Sequence, residues 1–536
     1  MNDLFFLYGP PGSGKTTMGR LLAARLDLPF IDLDVRIVEK AGKPIPAIFA
    51  SDGEPAFRAL ETECLRQVVA EGRGVVSLGG GALLAAVNRV LAEETGHVLF
   101  LDAPLEMLEA RVAQAPGTRP LLADPAAAAS AAPAVTPPPR KLADLLARRA
   151  THYASFARRL KIEDVTPEEN ADAAQIALGA FRVGGMGAAY NVRVGPDWID
   201  GLGDLFHAHG WKGRAMLVGD DHTLPLHGTR VAQALAHAGI EVHRFAIPAG
   251  EATKTIDTVQ TIWRALLEAR IERGDTVLAL GGGVVGDLTG FAAATWLRGV
   301  RWVGLPTTLL AMADSSLGGK TGADLPQGKN LVGAFHPPAL VLADTGTLAT
   351  LPDDEFRSGL AEVVKHGLLA DPELFDLCAE GFDQLRADAD GEFVSRAMAV
   401  KIRTIQQDPY ENGIRAALNL GHTIGHGLEK ASHFSLRHGE AVAIGMVAEA
   451  RVAERMGLAH IGLADLIVGV LNGLGLPTEI PATLDRRSMI DAIRLDKKRA
   501  GGVVRFALPV RIGEVRIGVA VDEKMLAEVL ANSQAG

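Results

Sequence analysis

The sequence predicts an α/β protein of several domains. A P-loop domain, with a parallel sheet carrying helices on both faces, precedes a second α/β domain and a mainly α-helical C-terminal domain. Three observations predict this. Short apolar segments alternate with amphipathic ones over residues 1–180, in "LFFLYG", "PFIDLD", "GVVSLGGG" and "HVLFLD", the rhythm of parallel strands joined by helices. The alternation restarts near 186 ("AMLVGDD", "EVHRFAIPAG", "DTVLALGGG", "RWVGLPTT") and stops near 345. From there a helical period dominates as far as "VVRFALPVRIGEVRIGVAV".

A chain of 536 residues exceeds what one core supports. The boundaries read as a P-loop domain over 1–178, a linker over 179–190 at the small-residue stretch "VGGMGAAYNVRVG", an α/β domain over 191–344 and a helical domain over 345–536. The Ala/Pro tract at 123–139 reads as a loop insert in the first domain. A net charge of −10 argues against nucleic acid or membrane as the main partner. Cys64 and Cys378 are too few for a disulfide framework or a cysteine metal cage. With no targeting segment and no apolar run near about 18 residues, the expectation is a cytoplasmic enzyme.

"YGPPGSGKTT" at 8–17 stands between the first strand and a helix, and Gly9, Gly14, Lys15 and Thr16 satisfy G-x-x-x-x-G-K-S/T. The glycines let backbone N–H groups turn onto phosphate oxygens, and the helix N-terminus adds partial positive charge. Lys15 reaches the β and γ phosphates and Thr16 ligates Mg2+. ATP or GTP is the predicted ligand. "FIDLD" puts Asp32 and Asp34 on one strand face, one near Mg2+ and the other accepting a hydroxyl proton. A helix-capping aspartate beside a surface one is the alternative. "DGEPAFRALE" supplies Arg58, and "SLGGGA" supplies Gly79, Gly80 and Gly81 at another strand end.

P-loop, D-x-D, G-E-x-x-F-R, glycine triplet, Arg119-Pro-Leu-Leu and Arg149, in this order over 1–178, closely resemble shikimate kinase. The resemblance implies ATP and Mg2+ binding by Gly12, Gly14, Lys15, Thr16, Thr17 and Asp32, with Arg119 closing over the transferring phosphate. It implies that Arg58 and Arg149 grip the carboxylate of shikimate, that Asp34 takes the proton of the attacking hydroxyl, and that Gly80 admits the ring. The Ala/Pro tract lengthens the segment between Arg119 and Arg149 relative to that family.

"LALGGGVVGDLTG" at 278–290 is a second glycine loop without the Lys-Ser/Thr of a P-loop or the spacing G-x-G-x-x-G. Alone it fits a dinucleotide loop, a sugar-phosphate loop or a tight strand–helix turn. "AGEATK" precedes it with Glu251 and Lys254, able to hydrogen-bond ribose and phosphate. Thr307, Thr308, Asp314 and Lys320 follow, then Lys329 and Asn330. In the helical part Glu362 and Lys365 are three apart, His422 and His426 four apart, each pair on one helical face, and His438 follows. A carboxylate with two imidazoles binds Zn2+ and leaves a position open, as catalytic sites require.

Residues from about 186 to 532 strongly resemble 3-dehydroquinate synthase. Its motifs here are G-E-x-x-K, G-G-G-V-V-G-D, P-T-T-L-L-A-x-x-D-S-S-x-G-G-K-T, G-K-N-x-x-G-x-F, G-x-A-E-x-x-K, D-x-x-E-x-G-x-R-x-x-L-N-x-G-H-x-x-G-H, H-G-E-A-V and D-K-K. One departure is His222 after Asp220, where that family often carries Asp-x-Asn. The resemblance implies NAD+ on Asp220, Glu251, Lys254, Gly282, Gly283, Val284, Asp287, Thr307, Thr308, Asp314, Lys320, Lys329, Thr347, Thr350 and Glu355. It implies Zn2+ or Co2+ on Glu362, His422 and His438. The heptulosonate phosphate falls to Arg298, Lys320, Asn330, Lys365, Lys401, Arg415, Asn419, His426, Lys497 and Lys498, among which Lys320, Lys365 and His426 are catalytic candidates; the substrate's own phosphate is an alternative base to His426. NAD+ is reduced and restored in one cycle, and a homodimer through this half is implied. Two other readings are distinguishable. A metal-dependent polyol dehydrogenase needs no such cluster of cations, and a nucleotide-sensing regulatory module needs no Asp34, Arg58 and Arg119.

Overall fold

Strand β1 (Asp3–Tyr8) is buried at every position, as the central strand of a parallel sheet is. The structure, a computed structural model, describes residues 3–114, 139–388, 390–433, 435–497 and 504–533. Arg119, Lys498 and nearly all of the Ala/Pro tract lie outside the described residues, as does the side chain of Lys497. The chain divides into two compact units, Met1–Arg182 with Asp200–Gly210, and Val183–Ile199 with Trp211–Gly536.

In the first unit β2 (Phe30–Asp32), β3 (Arg73–Ser77), β4 (His97–Asp102) and β5 (Arg159–Lys161) join β1 in the order β2-β3-β1-β4-β5, all parallel. Helix Lys15–Leu26 leaves β1 through the P-loop, where its N-cap Gly14 has φ 90°, open to glycine at no steric cost. The sequence reading of Asp32 and Asp34 as neighbours on a strand face is corrected here. β2 stops at Asp32, whose Oδ1 accepts the N–H of Asp34 at 3.1 Å and caps helix Leu33–Ala41. Satisfying the orphan donors of that helix outweighs strand continuation. Helix Ile45–Glu71, which carries Arg58, bends at Gly53 (φ 82°).

β6 (Ala180–Val183) stands at the boundary of the units. In the second unit β7 (Tyr190–Gly195), β8 (Arg214–Asp220), β9 (Glu241–Ile247), β10 (Thr276–Gly281) and β11 (Arg301–Pro306) are followed by an antiparallel hairpin, β12 (Lys320–Leu325) and β13 (Gly328–Phe335). With β14 (Leu340–Asp344), the parallel strands run β7-β14-β11-β10-β8-β9. Helices then take over, and the hairpin of β15 (Arg505–Arg511) and β16 (Glu514–Ala520) follows them. Two helices, Asp353–Ala370 and His438–Arg455, meet almost backbone to backbone. A Cβ on Gly439 would lie 2.0 Å from the Ser358 carbonyl oxygen, and this approach brings His438 beside Glu362.

Candidate active sites

The first unit holds a cavity of about 420 Å3 that the P-loop, Asp32, Asp34, Arg58, Gly79–Gly81 and Arg149 line together. Lys15 Nζ donates to the carbonyls of Gly9 and Pro10, both at 2.9 Å, at the rim of the loop. Thr16 Oγ1 donates to Asp32 Oδ2 at 3.1 Å, so hydroxyl and carboxylate converge as hard oxygen donors suited to Mg2+. Gly79 is needed for close approach: a Cβ there would meet Asp34 Oδ1 at 3.1 Å and Glu61 Oε1 at 3.4 Å. A Cβ on Gly81 would lie 3.0 Å from Arg58 Nη2 and 3.4 Å from Arg149 Nη2. Two guanidiniums thus converge on one spot in the cavity, an arrangement that recognises a carboxylate.

Sequence reasoning overlooked Glu61, Ser77, Arg111 and Tyr153. Glu61 receives Arg58 Nη1 at 2.8 Å and is 1% exposed; burial pushes its carboxyl up while Arg58 pulls it back. Its spacing of three from Arg58 was a signal available in "RALE". Arg111 and Ser77 line the cavity from other elements, and nothing in their local sequence marks them.

In the second unit a cavity of about 1300 Å3 is lined by both glycine-loop and helical residues. β10 ends at Gly281, and Gly282 caps helix Gly283–Thr295, whose free N–H groups suit an anion. Of the dinucleotide candidates, Asp220, Glu251, Lys254, Gly282, Gly283, Val284, Asp287, Thr307, Thr308, Asp314, Lys320, Thr350 and Glu355 line this cavity. Asp220 Oδ1 also accepts the N–H groups of His222 and Thr223, at 3.0 and 2.7 Å, shaping the turn after β8. Lys254 is buried and its Nζ holds Asp287 at 2.6 Å and Asn330 at 2.7 Å. Lys329 pairs with Glu251 at 3.2 Å and lines a neighbouring cavity of about 880 Å3. Thr347 does not reach the cavity: it is 1% exposed and its hydroxyl donates to the Asp344 carbonyl.

Among the substrate candidates, Lys320, Asn330, Lys365, Lys401, Arg415 and Asn419 line the same large cavity. Lys401 pairs with Asp314, and Glu411, absent from the expected set, pairs with Lys320 and with Arg415 Nε at 3.2 Å. Arg298 is exposed on a short 3-10 turn with φ 68° and does not line the cavity. His426 stands behind the lining, its ring 5.3 Å from that of His422.

Glu362 is fully buried and ion-paired with Lys365, and the Nε2 atoms of His422 and His438 each lie 3.4 Å from its Oε1. Two ligands on a tetrahedral ion with bonds of about 2.05 Å are themselves about 3.3 Å apart, so these three residues fit a divalent cation. His422 Nδ1 faces the Leu420 carbonyl at 3.1 Å, which fixes the tautomer that presents Nε2 as a lone pair. Burial and the Lys365 ammonium push His422 down to about 3. His438 lies between Glu362 and Glu429, which raise it to about 10 against the effect of burial. The ligating nitrogens of His422, His426 and His438 also lie within 4.8 Å of one another. Glu429, three residues after His426, is a further group the sequence reading missed.

These features define a P-loop phosphotransferase site in one unit and a nucleotide- and metal-dependent site in the other. The shikimate kinase family profile matches residues 11–178, and the profiles of the 3-dehydroquinate synthase N-terminal and C-terminal domains match 244–358 and 359–499. The 3-dehydroquinate synthase of Synechocystis is 43% identical over 347 residues, 64% of this chain and 96% of that protein. A 2-epi-5-epi-valiolone synthase from Streptomyces hygroscopicus, solved with NAD+ and Zn2+ bound, superposes with TM-score 0.60 and 31% identity over 66% of this chain and 99% of that one. A 2-deoxy-scyllo-inosose synthase solved with carbaglucose-6-phosphate, NAD+ and Co2+ gives TM-score 0.60 and 25% identity, covering 66% of this chain and 99% of that one. The chain belongs to the 3-dehydroquinate synthase family and carries a shikimate kinase domain ahead of it. It is a bifunctional enzyme of the shikimate pathway.

Proposed function

We propose that the cavity of about 420 Å3 phosphorylates shikimate and that the cavity of about 1300 Å3 converts the heptulosonate phosphate to 3-dehydroquinate. What carries the assignment is that each cavity combines a glycine loop at a helix N-terminus with cations from other elements. In the kinase, the P-loop amides and Lys15 hold the nucleotide phosphates, with Gly12, Gly14, Thr16, Thr17 and Asp32 beside them. Arg58 and Arg149 hold the carboxylate of shikimate, and Asp34 accepts the proton of the attacking hydroxyl. Arg119 supplies positive charge to the transferring phosphoryl group.

In the synthase, Glu362, His422 and His438 hold Zn2+ or Co2+, and the loop at Gly282–Val284 receives the pyrophosphate of NAD+. The chemistry these groups supply is polarisation of a hydroxyl and reversible hydride transfer. Lys320, Lys365, Lys401 and Arg415, with Asn330 and Asn419, orient the anionic substrate, and His426 moves a proton. A polyol dehydrogenase has no use for these four cations around one cavity.

The domains on this reading are 1–178, a linker 179–190, 191–344 and 345–536. A homodimer through the synthase half and a cytoplasmic location complete the proposal, supported by family resemblance and by the free, buried thiols of Cys64 and Cys378. Among the described residues, no helix is long and apolar enough to cross a membrane. The test is a pair of variants assayed for both activities. Lys15→Ala abolishes phosphorylation of shikimate and leaves phosphate release from the heptulosonate phosphate intact; His438→Ala does the reverse. Loss of both activities in either well-folded variant overturns the two-site assignment.

A further inference from the structure

The charges of the two converging arginines are met differently. Arg58 donates to Glu61 at 2.8 Å and to Glu54 at 3.1 Å. Among the described residues Arg149 has no carboxylate within ion-pair distance. Its Nη1 donates instead to the Gly80 carbonyl at 2.8 Å and to the Tyr153 hydroxyl at 3.3 Å. A guanidinium can only donate, so the proton of Tyr153 points elsewhere, and it reaches the same Gly80 carbonyl at 3.0 Å. Guanidinium, phenol and carbonyl form a closed triangle.

The triangle is held from outside. Arg149 and Tyr153 are four apart on helix Pro139–Ala154 and share a face. Tyr153 is 6% exposed, its ring packed against Phe100 at 5.1 Å and Tyr8 at 5.9 Å between centroids. Phenol and carbonyl together occupy Nη1 and turn Nη2 toward Gly81, where Arg58 also arrives.

We propose that Tyr153 is a positioning residue for carboxylate recognition in the kinase. Its hydroxyl sets the plane of the Arg149 guanidinium, so that a charge balanced only by neutral dipoles meets the substrate's carboxylate in a fixed orientation. An arginine held in this way loses less freedom when the ligand arrives. The proposal rests on the assignment of this cavity to shikimate.

Tyr153→Phe keeps the ring and removes only the hydroxyl. In the full chain it raises the KM for shikimate about ten-fold, the effect of one hydrogen bond to a charged group, with kcat and the KM for ATP within about two-fold. In an Arg149→Ala background Tyr153→Phe adds nothing. An analogue of shikimate with the carboxylate reduced to an alcohol is turned over equally by Tyr153→Phe and the unsubstituted chain. Arg149→Lys, which keeps charge without the planar fork, reproduces the KM effect with Tyr153 in place, and so reads the same orientation if the phenylalanine variant fails to fold. An unchanged shikimate KM in Tyr153→Phe, a parallel rise in the KM for ATP, or a ten-fold loss that persists without Arg149 overturns the role of Tyr153 while leaving the kinase assignment standing. Failure of the unsubstituted chain to phosphorylate shikimate instead overturns the assignment, and the role of Tyr153 with it.

Discussion

A methyl group on Gly79 presses on Asp34, because its Cβ position lies 3.1 Å from Asp34 Oδ1, whereas Glu61 at 3.4 Å is in ordinary contact. Gly79→Ala therefore shifts the Asp34 carboxylate by a few tenths of an ångström. The expected outcome is a loss of about 10-fold or more in kcat/KM for shikimate, the scale that small misplacements of a reacting group reach, with synthase activity unchanged. Steady-state assays of both reactions check this. His366 makes a second point at this scale. It is fully buried and, among the described residues, neither of its ring nitrogens finds a hydrogen-bond partner; burial, then the neighbouring Lys365, pushes it down to about 3. The unfolded chain gains this proton near pH 6.5, whereas the folded chain does not until about 3. His366 thus contributes stability above about pH 6.5 that is lost as pH falls toward 3. His366→Leu should flatten the decline of melting temperature between pH 6.5 and 4; an unaltered slope would count against this account. Residues with a motif around them (Lys15, Thr16, Asp34, His422) were legible from sequence. Ser77 and Arg111 were not, because they reach the cavity from other elements, and such an approach has no signature in the local spacing; Glu61, three residues after Arg58, carried a signal that went unread.

At the scale of elements, the junction of helices Asp353–Ala370 and His438–Arg455 fixes the cation site. Gly439 is the contact that lets them close, with its Cβ position 2.0 Å from the Ser358 oxygen. Gly439→Ala forces the helices apart at a cost of about 1–3 kcal/mol or more. It should lower the melting temperature and abolish the synthase activity while the kinase reaction persists, and calorimetry with both assays decides it. Helical periodicity announced these segments in the sequence. It did not say which faces meet, since "HGEAV" carries the same period whatever its neighbour. The end of β2 shows the converse limit: strand and cap compete for Asp32, and the winner depends on the donors of the helix that starts at the next residue. Thr347 lies outside the cavity lining for a similar reason, its hydroxyl being used within its own turn.

At the scale of the whole molecule, two parallel sheets, each with its own cavity, were legible because strand–loop–helix order is written locally and repeated. The division of labour between the two glycine loops was legible too, since only the first ends in Lys15 and Thr16. What no local pattern announced is how much charge the synthase unit hides. Glu362, Lys365, Lys401 and Arg415 are each exposed by 5% or less. Ion pairs withdrawn from water recover their desolvation incompletely, and apolar residues of similar volume usually pack with equal or greater stability. Glu362→Leu combined with Lys365→Met should therefore yield a metal-free protein that is as stable or more so, by up to about 4 kcal/mol, and inert as a synthase; a protein that unfolds more readily in urea would refute this. Resistance to denaturation and turnover pull against each other along one helix. A lineage selected only for durability would be expected to replace Glu362 and Lys365 first.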